Sequence, residues 1–339
     1  MPGRGFPPDD GRHPSQQVVA GMSMTDIGWF DAVVSDTAPL ARAIKQFTLR
    51  VRQGVYPHFT SGSHLLVRIA DGFGGGVNAY SLLDAHGGGA TVRIAVRHEP
   101  QSRAGSAWMH TLQPGDAIRI SAPSNLFALD PSARRHVFIA GGIGITPFMA
   151  HLQALRAQDA TCHLHYAFRS AADAAFCAGL GARGNVSLYD AARGQRVDLR
   201  QLLAALDDAD HLYVCGPRRM IDEIEAAGGR LRAERRLHVE QFAQPAPAPS
   251  AAFTVRLVRS GCELVVAEDE SILDAIERRS PVQVQSLCRE GYCGTCETRL
   301  LSGSAEHRDQ YLNEDERRAQ DRIMLCVSRA ACATLELDL

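Results

Sequence analysis

The sequence predicts a three-domain chain: an antiparallel β-barrel, a doubly wound α/β domain and a small α+β domain built around a cysteine loop. Three observations carry this. From Trp29 to about Asp130, short alternating apolar runs are punctuated by Gly and Pro, the pattern of an antiparallel barrel. At Arg134 the texture changes to a continuous apolar run, a glycine turn and a helical run, the first unit of a doubly wound parallel sheet. Near the C-terminus, Cys288, Cys293 and Cys296 stand at x4 and x2 spacing, followed after 29 intervening residues by Cys326.

A length of 339 residues exceeds one ordinary domain and suggests two or three. A hydrophobic content of 45% and a charged content of 22% describe an ordinary globular protein. The net charge of −2 gives no pull toward nucleic acid or anionic membrane, and no apolar run is long enough to span a bilayer. Residues 1–25 are rich in Gly, Pro and Asp and carry no apolar signal core, so they are expected to be a disordered extension, with Met22 and Met24 as alternative starts. Five cysteines outside the loop (Cys162, Cys177, Cys215, Cys262, Cys332) are scattered, which favours reduced thiols and a cytoplasmic location.

Residues 26–130 form the predicted barrel, with strands at Phe30–Val34, Ile44–Val51, His64–Ile69, Thr91–Val96 and Ala117–Ser121. Glycine-rich stretches 72–76 and 87–89 fit hairpin loops. Tyr80-Ser81, within Asn78-Ala-Tyr-Ser-Leu82, offers a ring and a hydroxyl to an aromatic ligand, or is simply a core tyrosine. Gly105-Ser106 at a helix start offers N–H groups and a hydroxyl to a phosphate, with Arg97 and Arg103 as charge; the plainer alternative is an ordinary helix cap.

Residues 131–243 form the predicted α/β domain. The strand His136-Val-Phe-Ile-Ala runs into Gly141-Gly142-Ile-Gly144-Ile-Thr146-Pro147 and a helix over Phe148–Leu155. Pro147 takes the place of a third glycine, so the turn is not a full dinucleotide fingerprint. Further strands follow at Cys162–Phe168, Asn185–Tyr189 and His211–Cys215. The last ends in a second glycine turn, Cys215-Gly216-Pro217, before a helix over Arg218–Ala227. Two glycine turns at neighbouring strand ends predict a nucleotide crevice. Leu237–Phe242 closes the domain, and the alternating prolines of 244–252 read as a semi-extended linker.

Residues 253–339 form the small domain, with a hairpin, an amphipathic helix near Ser271–Arg279, the cysteine loop and a final strand. The cysteine spacing matches plant-type [2Fe-2S] ligation, and Gly291 and Gly294 suit a loop that aims N–H groups at sulfides. Four buried thiols or a zinc site are the alternatives, although zinc ribbons usually pair two Cys-x2-Cys knuckles.

In this order, the three domains are similar to the phthalate dioxygenase reductase family, which includes vanillate demethylase reductases. The motifs that carry the resemblance are Tyr80-Ser81-Leu82, Gly105-Ser106, Gly141 to Pro147, Cys215-Gly216-Pro217, Glu240-Gln-Phe242 and the four cysteines. The resemblance implies an FMN-binding barrel, an NAD-binding α/β domain and a plant-type ferredoxin domain. It places Tyr80, Ser81, Leu82 and Ala95 at FMN, Arg97, Gly105 and Ser106 at its phosphate, and Thr146 near flavin and nicotinamide. Phe242 would cover the flavin face where nicotinamide enters. Gly141, Gly142, Gly144, Pro147, Arg169, Cys215, Gly216 and Pro217 would line the nucleotide site, and Cys288, Cys293, Cys296 and Cys326 would ligate the cluster. Asn78 departs from the family's usual Arg, a loss of about 1.5–3 kcal/mol of charge-assisted contact unless Arg97 and Arg103 compensate.

The implied function is the reductase component of a multicomponent oxygenase of aromatic catabolism. NADH delivers an electron pair, which FMN takes up and releases singly to the cluster and on to a Rieske-type terminal oxygenase. The resemblance favours NADH; with NADPH, Arg169 and Ser170 would meet the 2′-phosphate. The chain is expected to be monomeric, with Arg289, Glu290 and Tyr292 facing solvent at the exit. Alternatives are the same relay serving a cytochrome P450 or another haem or non-haem acceptor, an iron–sulfur redox sensor, and a zinc-filled structural domain. The sensor lacks a DNA-binding helix pair or basic patch and leaves the nucleotide crevice unexplained.

Overall fold

The computed structural model describes residues 28–73, 75–99, 105–181, 184–242 and 251–339. The expected N-terminal extension, most of the expected linker and Arg103 lie outside them. The described residues group into two compact units, Gly28–Ala251 and Ala252–Leu339.

In the first unit, β1 (Trp29–Ala41), β2 (Ile44–Val51), β3 (Ser63–Arg68), β4 (Val77–Ser81), β5 (Thr91–Arg97) and β6 (Ala117–Ser121) form an antiparallel sheet in the order β4-β3-β6-β1-β2-β5. A short β7 (Ser124–Asn125) pairs with β3. The bridge between Leu82 and Ile94 joins the outer strands and closes the barrel. Alternate residues are buried, among them Phe47 and Leu49 of β2, Val92, Ile94 and Val96 of β5, and Ile118 and Ile120 of β6. The first strand runs well past the expected Phe30–Val34, because register shifts at Val34/Asp36 and Pro39/Ala41 bend it without ending the pairing. Helix α1 (Gly105–Thr111) adds Trp108 and Met109 to the barrel core.

The second sheet of this unit is parallel. It contains β8 (Arg135–Gly141), β9 (Thr161–Phe168), β10 (Val186–Asp190), β11 (Asp210–Cys215) and β12 (Leu237–Glu240), in the order β10-β9-β8-β11-β12. The chain steps outward from β8 to β10 and then returns to the other side of β8, so its direction of winding reverses between β8 and β11. Ligand crevices open at the carboxyl ends of strands at such a point. Around the sheet lie α2 (Thr146–Ala157), α3 (Cys177–Leu180), α4 (Leu199–Ala204), α5 (Arg218–Ala227) and α6 (Gly229–Ala233). Helix α2 starts at Thr146, ahead of the expected Phe148, because proline in the first turn forfeits no hydrogen bond. One core cluster joins Ile44, Leu83 and Ala95 of the barrel to Phe138, Phe148 and Leu152 of the parallel sheet and α2. Barrel and parallel sheet therefore share apolar packing.

The second unit has a sheet in the order β14-β13-β19-β15-β17, from β13 (Phe253–Leu257), β14 (Cys262–Val266), β15 (Glu297–Ser302), β17 (Arg322–Met324) and β19 (Thr334–Leu337). A minor ladder pairs β16 (Ala305–Glu306) with β18 (Arg329–Ala330). Helix α7 (Ile272–Arg279) buries Ile272, Leu273, Ala275 and Ile276, and the Ser271 hydroxyl caps it by accepting the Asp274 N–H at 3.0 Å. Arg329 is almost fully buried, donating to the carbonyls of Ala267 and Glu270 with its guanidinium 4.9 Å from the Phe253 ring centre. It pins the segment that leads into α7. An unexpected helix, α8 (Glu314–Ala319), starts with a capping box between Asn313 and Glu316. No helix among the described residues is long and apolar enough to cross a membrane.

Candidate functional site

Cys288, Cys293, Cys296 and Cys326 are all buried, the first three on the loop between α7 and β15, the fourth just after β17. Gly291 and Gly294 take left-handed backbone with φ of 78° and 76°. A Cβ at Gly294 would strike the Tyr311 ring, and one at Gly291 would press on Val327 and the Asp309 backbone. Only glycine folds this loop. The Glu290 N–H donates to Cys288 Sγ at 3.3 Å, and the Thr295 hydroxyl lies 3.0 Å from Cys293 Sγ. Burial pushes the Cys288 thiol up, but hydrogen bonds from Cys293, Cys326 and backbone N–H groups override it and draw it well below the usual thiol range. Hydrogen bonds from Cys326 draw Cys296 down as well, whereas Cys293 and Cys326 are pushed up because they donate to their neighbours; four buried sulfurs within reach of one another suit a shared metal centre.

Between Cys288 and Cys296, only Arg289 is exposed. Its guanidinium bonds Glu277 at 2.6 and 2.8 Å and Asp274 at 3.2 Å, both on α7. The expectation of solvent-facing Glu290 and Tyr292 is corrected: both are half-buried, and the Tyr292 hydroxyl donates to Glu290 at 2.8 Å. The loop folds its own polar groups inward because the left-handed glycines reverse its path.

In the first unit, both glycine turns meet at the carboxyl ends of β8 and β11. A Cβ at Gly141 would hit Pro217, and one at Gly144 would hit the Cys215 carbonyl. Gly216 would press on Gly141 at 3.1 Å. These three positions are therefore glycine because the turns pack against each other. Gly142 differs: its φ is 56° and its Cβ direction is open. Beside the turns, strand pairing aligns Cys215 with Ala140 and with Glu240. Burial raises the Glu240 carboxyl to about 8, only partly offset by its hydrogen bond with Cys215. Glu240 Oε2 is buried without a hydrogen-bond partner. The raised value favours the protonated acid near pH 7, with Oε2 unpaired. The sequence motif contained Glu240 and assigned it no role; its burial comes from β12 pairing with β11.

Two residues after Gly144, the buried Thr146 hydroxyl donates to the Ile143 carbonyl at 3.0 Å and lies 3.5 Å from the Ser81 hydroxyl. Tyr80 is half-buried, and its hydroxyl accepts a bond from Asn78 at 3.2 Å. Asn78 also rests on Gly105, where a Cβ would collide with its amide. Arg97 pairs with Glu99 at 3.3 Å, and the Ser106 hydroxyl bonds the Glu99 backbone at 3.1 and 3.3 Å. Leu82 is fully buried in the barrel core, which leaves only its backbone to a ligand, and the Ala95 side chain packs in the core shared with the parallel sheet. Phe242, just beyond β12, is 42% exposed.

Residues 255–331 match the family described as "2Fe-2S iron-sulfur cluster binding domain". The chain is 44% identical over 322 residues to the carnitine monooxygenase reductase subunit of Escherichia coli, covering 93% of this chain and all of that one. The solved phthalate dioxygenase reductase, described as modular for electron transfer from pyridine nucleotides to [2Fe-2S], is 33% identical with a TM-score of 0.66, covering 92% of this chain and 98% of the other. The chain belongs to the phthalate dioxygenase reductase family. It is a reductase subunit of an oxygenase system, with a 2Fe-2S domain in its C-terminal unit. An intact type IV self-sufficient cytochrome P450 monooxygenase also matches, at 36% identity and a TM-score of 0.79, over 92% of this chain and 41% of that longer one.

In this reductase, Arg169 is exposed at the end of β9, and Ser170 donates its hydroxyl to Asp173 at 2.7 Å. Arg42 from the β1–β2 turn reaches the same carboxylate at 2.6 Å. Hydrogen bonds from Ser170 and Arg42 hold the Asp173 carboxyl below the usual range, so it is anionic at neutral pH.

Proposed function

We propose that this reductase takes electrons from NADH on FMN seated between Tyr80-Ser81 and Thr146, and hands them through the cluster at Cys288, Cys293, Cys296 and Cys326 to a Rieske-type terminal oxygenase. The observation that carries the flavin and nicotinamide sites is their continuity. Glu240 bonds Cys215, Cys215 packs on Gly144, and Thr146 approaches Ser81, so strand ends of barrel and parallel sheet converge on one place. When bound, FMN accepts an electron pair and releases it in single steps that a [2Fe-2S] cluster can take.

The chain's own groups do the positioning. The neutral Glu240 offers its unpartnered Oε2 to the amide of a nicotinamide. Phe242 covers the apolar face of a flavin until nicotinamide displaces it. At the phosphate end, Arg97 exchanges Glu99 for the ligand, while Asn78 supplies a neutral donor in place of a guanidinium. Asp173 supports NADH because its carboxylate can accept from a ribose hydroxyl, against the pull of Arg42 and Arg169 on a 2′-phosphate.

An anaerobic NADH titration followed in the visible range tests the relay. Flavin and cluster bands should bleach in succession; an absence of flavin bands would end the proposal. Steady-state rates should favour NADH over NADPH, and a preference for NADPH would remove Asp173 from its role. The likeness to the P450 monooxygenase supports a second acceptor, a haem centre. Turnover with purified Rieske and P450 components separates the two.

A further inference from the structure

At the amino end of the parallel sheet, Asp130, His211 and His238 bring a carboxylate oxygen and two imidazole nitrogens within 4.8 Å of one another. His211 lies four residues, about 13 Å, along β11 from Cys215, so this cluster is separate from the nucleotide crevice. His211 Nδ1 is 3.0 Å from His238 Nε2 and 3.8 Å from Asp130 Oδ2.

Each group is held in place. Asp130 Oδ1 accepts the Ser132 N–H at 2.8 Å and its hydroxyl at 2.6 Å, which leaves Oδ2 for His211. The His238 ring stacks on Tyr213 at 4.2 Å between centroids and 12° between planes, and the Tyr213 hydroxyl accepts the Asp130 N–H at 2.7 Å. Two imidazole nitrogens facing each other at hydrogen-bond distance share one proton.

We propose that Asp130, His211 and His238 form a binding site for a divalent transition metal of the zinc class. A tetrahedral ion with bonds of about 2.0–2.1 Å sets its donor atoms roughly 3.3 Å apart; the two separations from His211 bracket that value, and His238 and Asp130 lie within 4.8 Å of each other. Two imidazoles and one carboxylate suit zinc and its neighbours better than calcium or magnesium. On binding, the bridging proton moves to the far nitrogen of its own ring, both rings stay neutral, and the two imidazoles, 17° from parallel with centroids 5.3 Å apart, tilt so that their inner lone pairs converge on the ion. Burial favours this state, pushing His238 down to about 4 and His211 down as well. Asp130, one-third exposed, gives access from solvent, and the fourth position takes water. Because Asp130 lies between β7 and β8, the ion clips the connection between barrel and parallel sheet to β11 and β12.

The test is equilibrium dialysis of the oxidised full-length holoprotein against Zn²⁺, with iron and flavin measured alongside. The wild-type chain should take up one zinc with its iron unchanged. Asp130→Asn and, independently, His238→Gln should weaken that zinc by roughly tenfold or more at unchanged iron and flavin. Zinc should also raise the Tm of the wild type and leave that of Asp130→Asn unmoved. Equal zinc uptake by wild type and variants, zinc gained only as iron is lost, or no uptake at micromolar free zinc would each overturn the site. Asp130 is a loop residue, so its variant decides the matter even if His238→Gln fails to fold.

Discussion

Glu240 is the residue at which electrostatics and function meet. Its folded value of about 8 lies far above that of a free carboxyl, because burial disfavours the charged form. Between the unfolded value and about 8, the native state binds the extra proton, so stability falls as pH rises through that window. The whole effect is on the order of a few kcal/mol. Glu240→Gln should flatten the decline of Tm with pH on the acid side of pH 8, and an unchanged slope would show that another group titrates there. The glycines give a second residue-scale result. Gly294→Ala must hold φ near 76° and displace the Tyr311 ring, a cost of about 1–2 kcal/mol for the backbone alone. The purified variant should carry less iron per flavin than the wild type, at unchanged flavin content.

At the scale of elements, the cysteine loop is tied to α7 through Arg289, which bridges Asp274 and Glu277. These pairs are exposed, so each contributes about 1 kcal/mol or less and weakens with salt. Arg289→Glu places a third negative charge beside two others. Cluster loss on warming should be faster than in wild type at low salt, with the gap closing at high salt. A gap indifferent to salt would point to loop strain instead. Reversing Arg289 therefore changes cluster retention as well as any partner contact, and assays of electron transfer should be normalised to iron. Helix α8 is an element the sequence signalled: Asn313 and Glu316 have capping-box spacing, and both reciprocal bonds form. The lack of a long apolar stripe behind them hid it.

For the whole molecule, the shared core of Ile44, Leu83, Ala95 and Phe138 makes barrel and parallel sheet one cooperative body, with the cluster-bearing residues in another. Heating the holoprotein should give two calorimetric transitions. A fragment of residues 28–242 should keep flavin and NADH–ferricyanide reduction and lose reduction of the oxygenase. Loss of both activities would show that the C-terminal unit supports the flavin site.

The division between sequence and structure follows from the range of the interactions. The 2Fe-2S domain was legible because its cysteines recur at fixed local spacing, and the strand–turn–helix units because backbone preferences act within a few residues. The glycine turns were legible as turns only. That Gly141, Gly144 and Gly216 exist to let two turns interlock, while Gly142 faces open space, depends on β8 and β11 lying side by side. The Glu240 carboxyl became buried, and His211 a neighbour of His238, through pairing between β11 and β12. By itself, the sequence determined the fold class, the 2Fe-2S character of the C-terminal domain and the family. Tertiary structure alone decided the burial of the Glu240 carboxyl, the pairing of Arg97 with Glu99, and the His–His–Asp cluster. Each of these rests on burial and contact between segments distant in sequence or folded back on one another, and the register of a sheet is set by packing that no local pattern records.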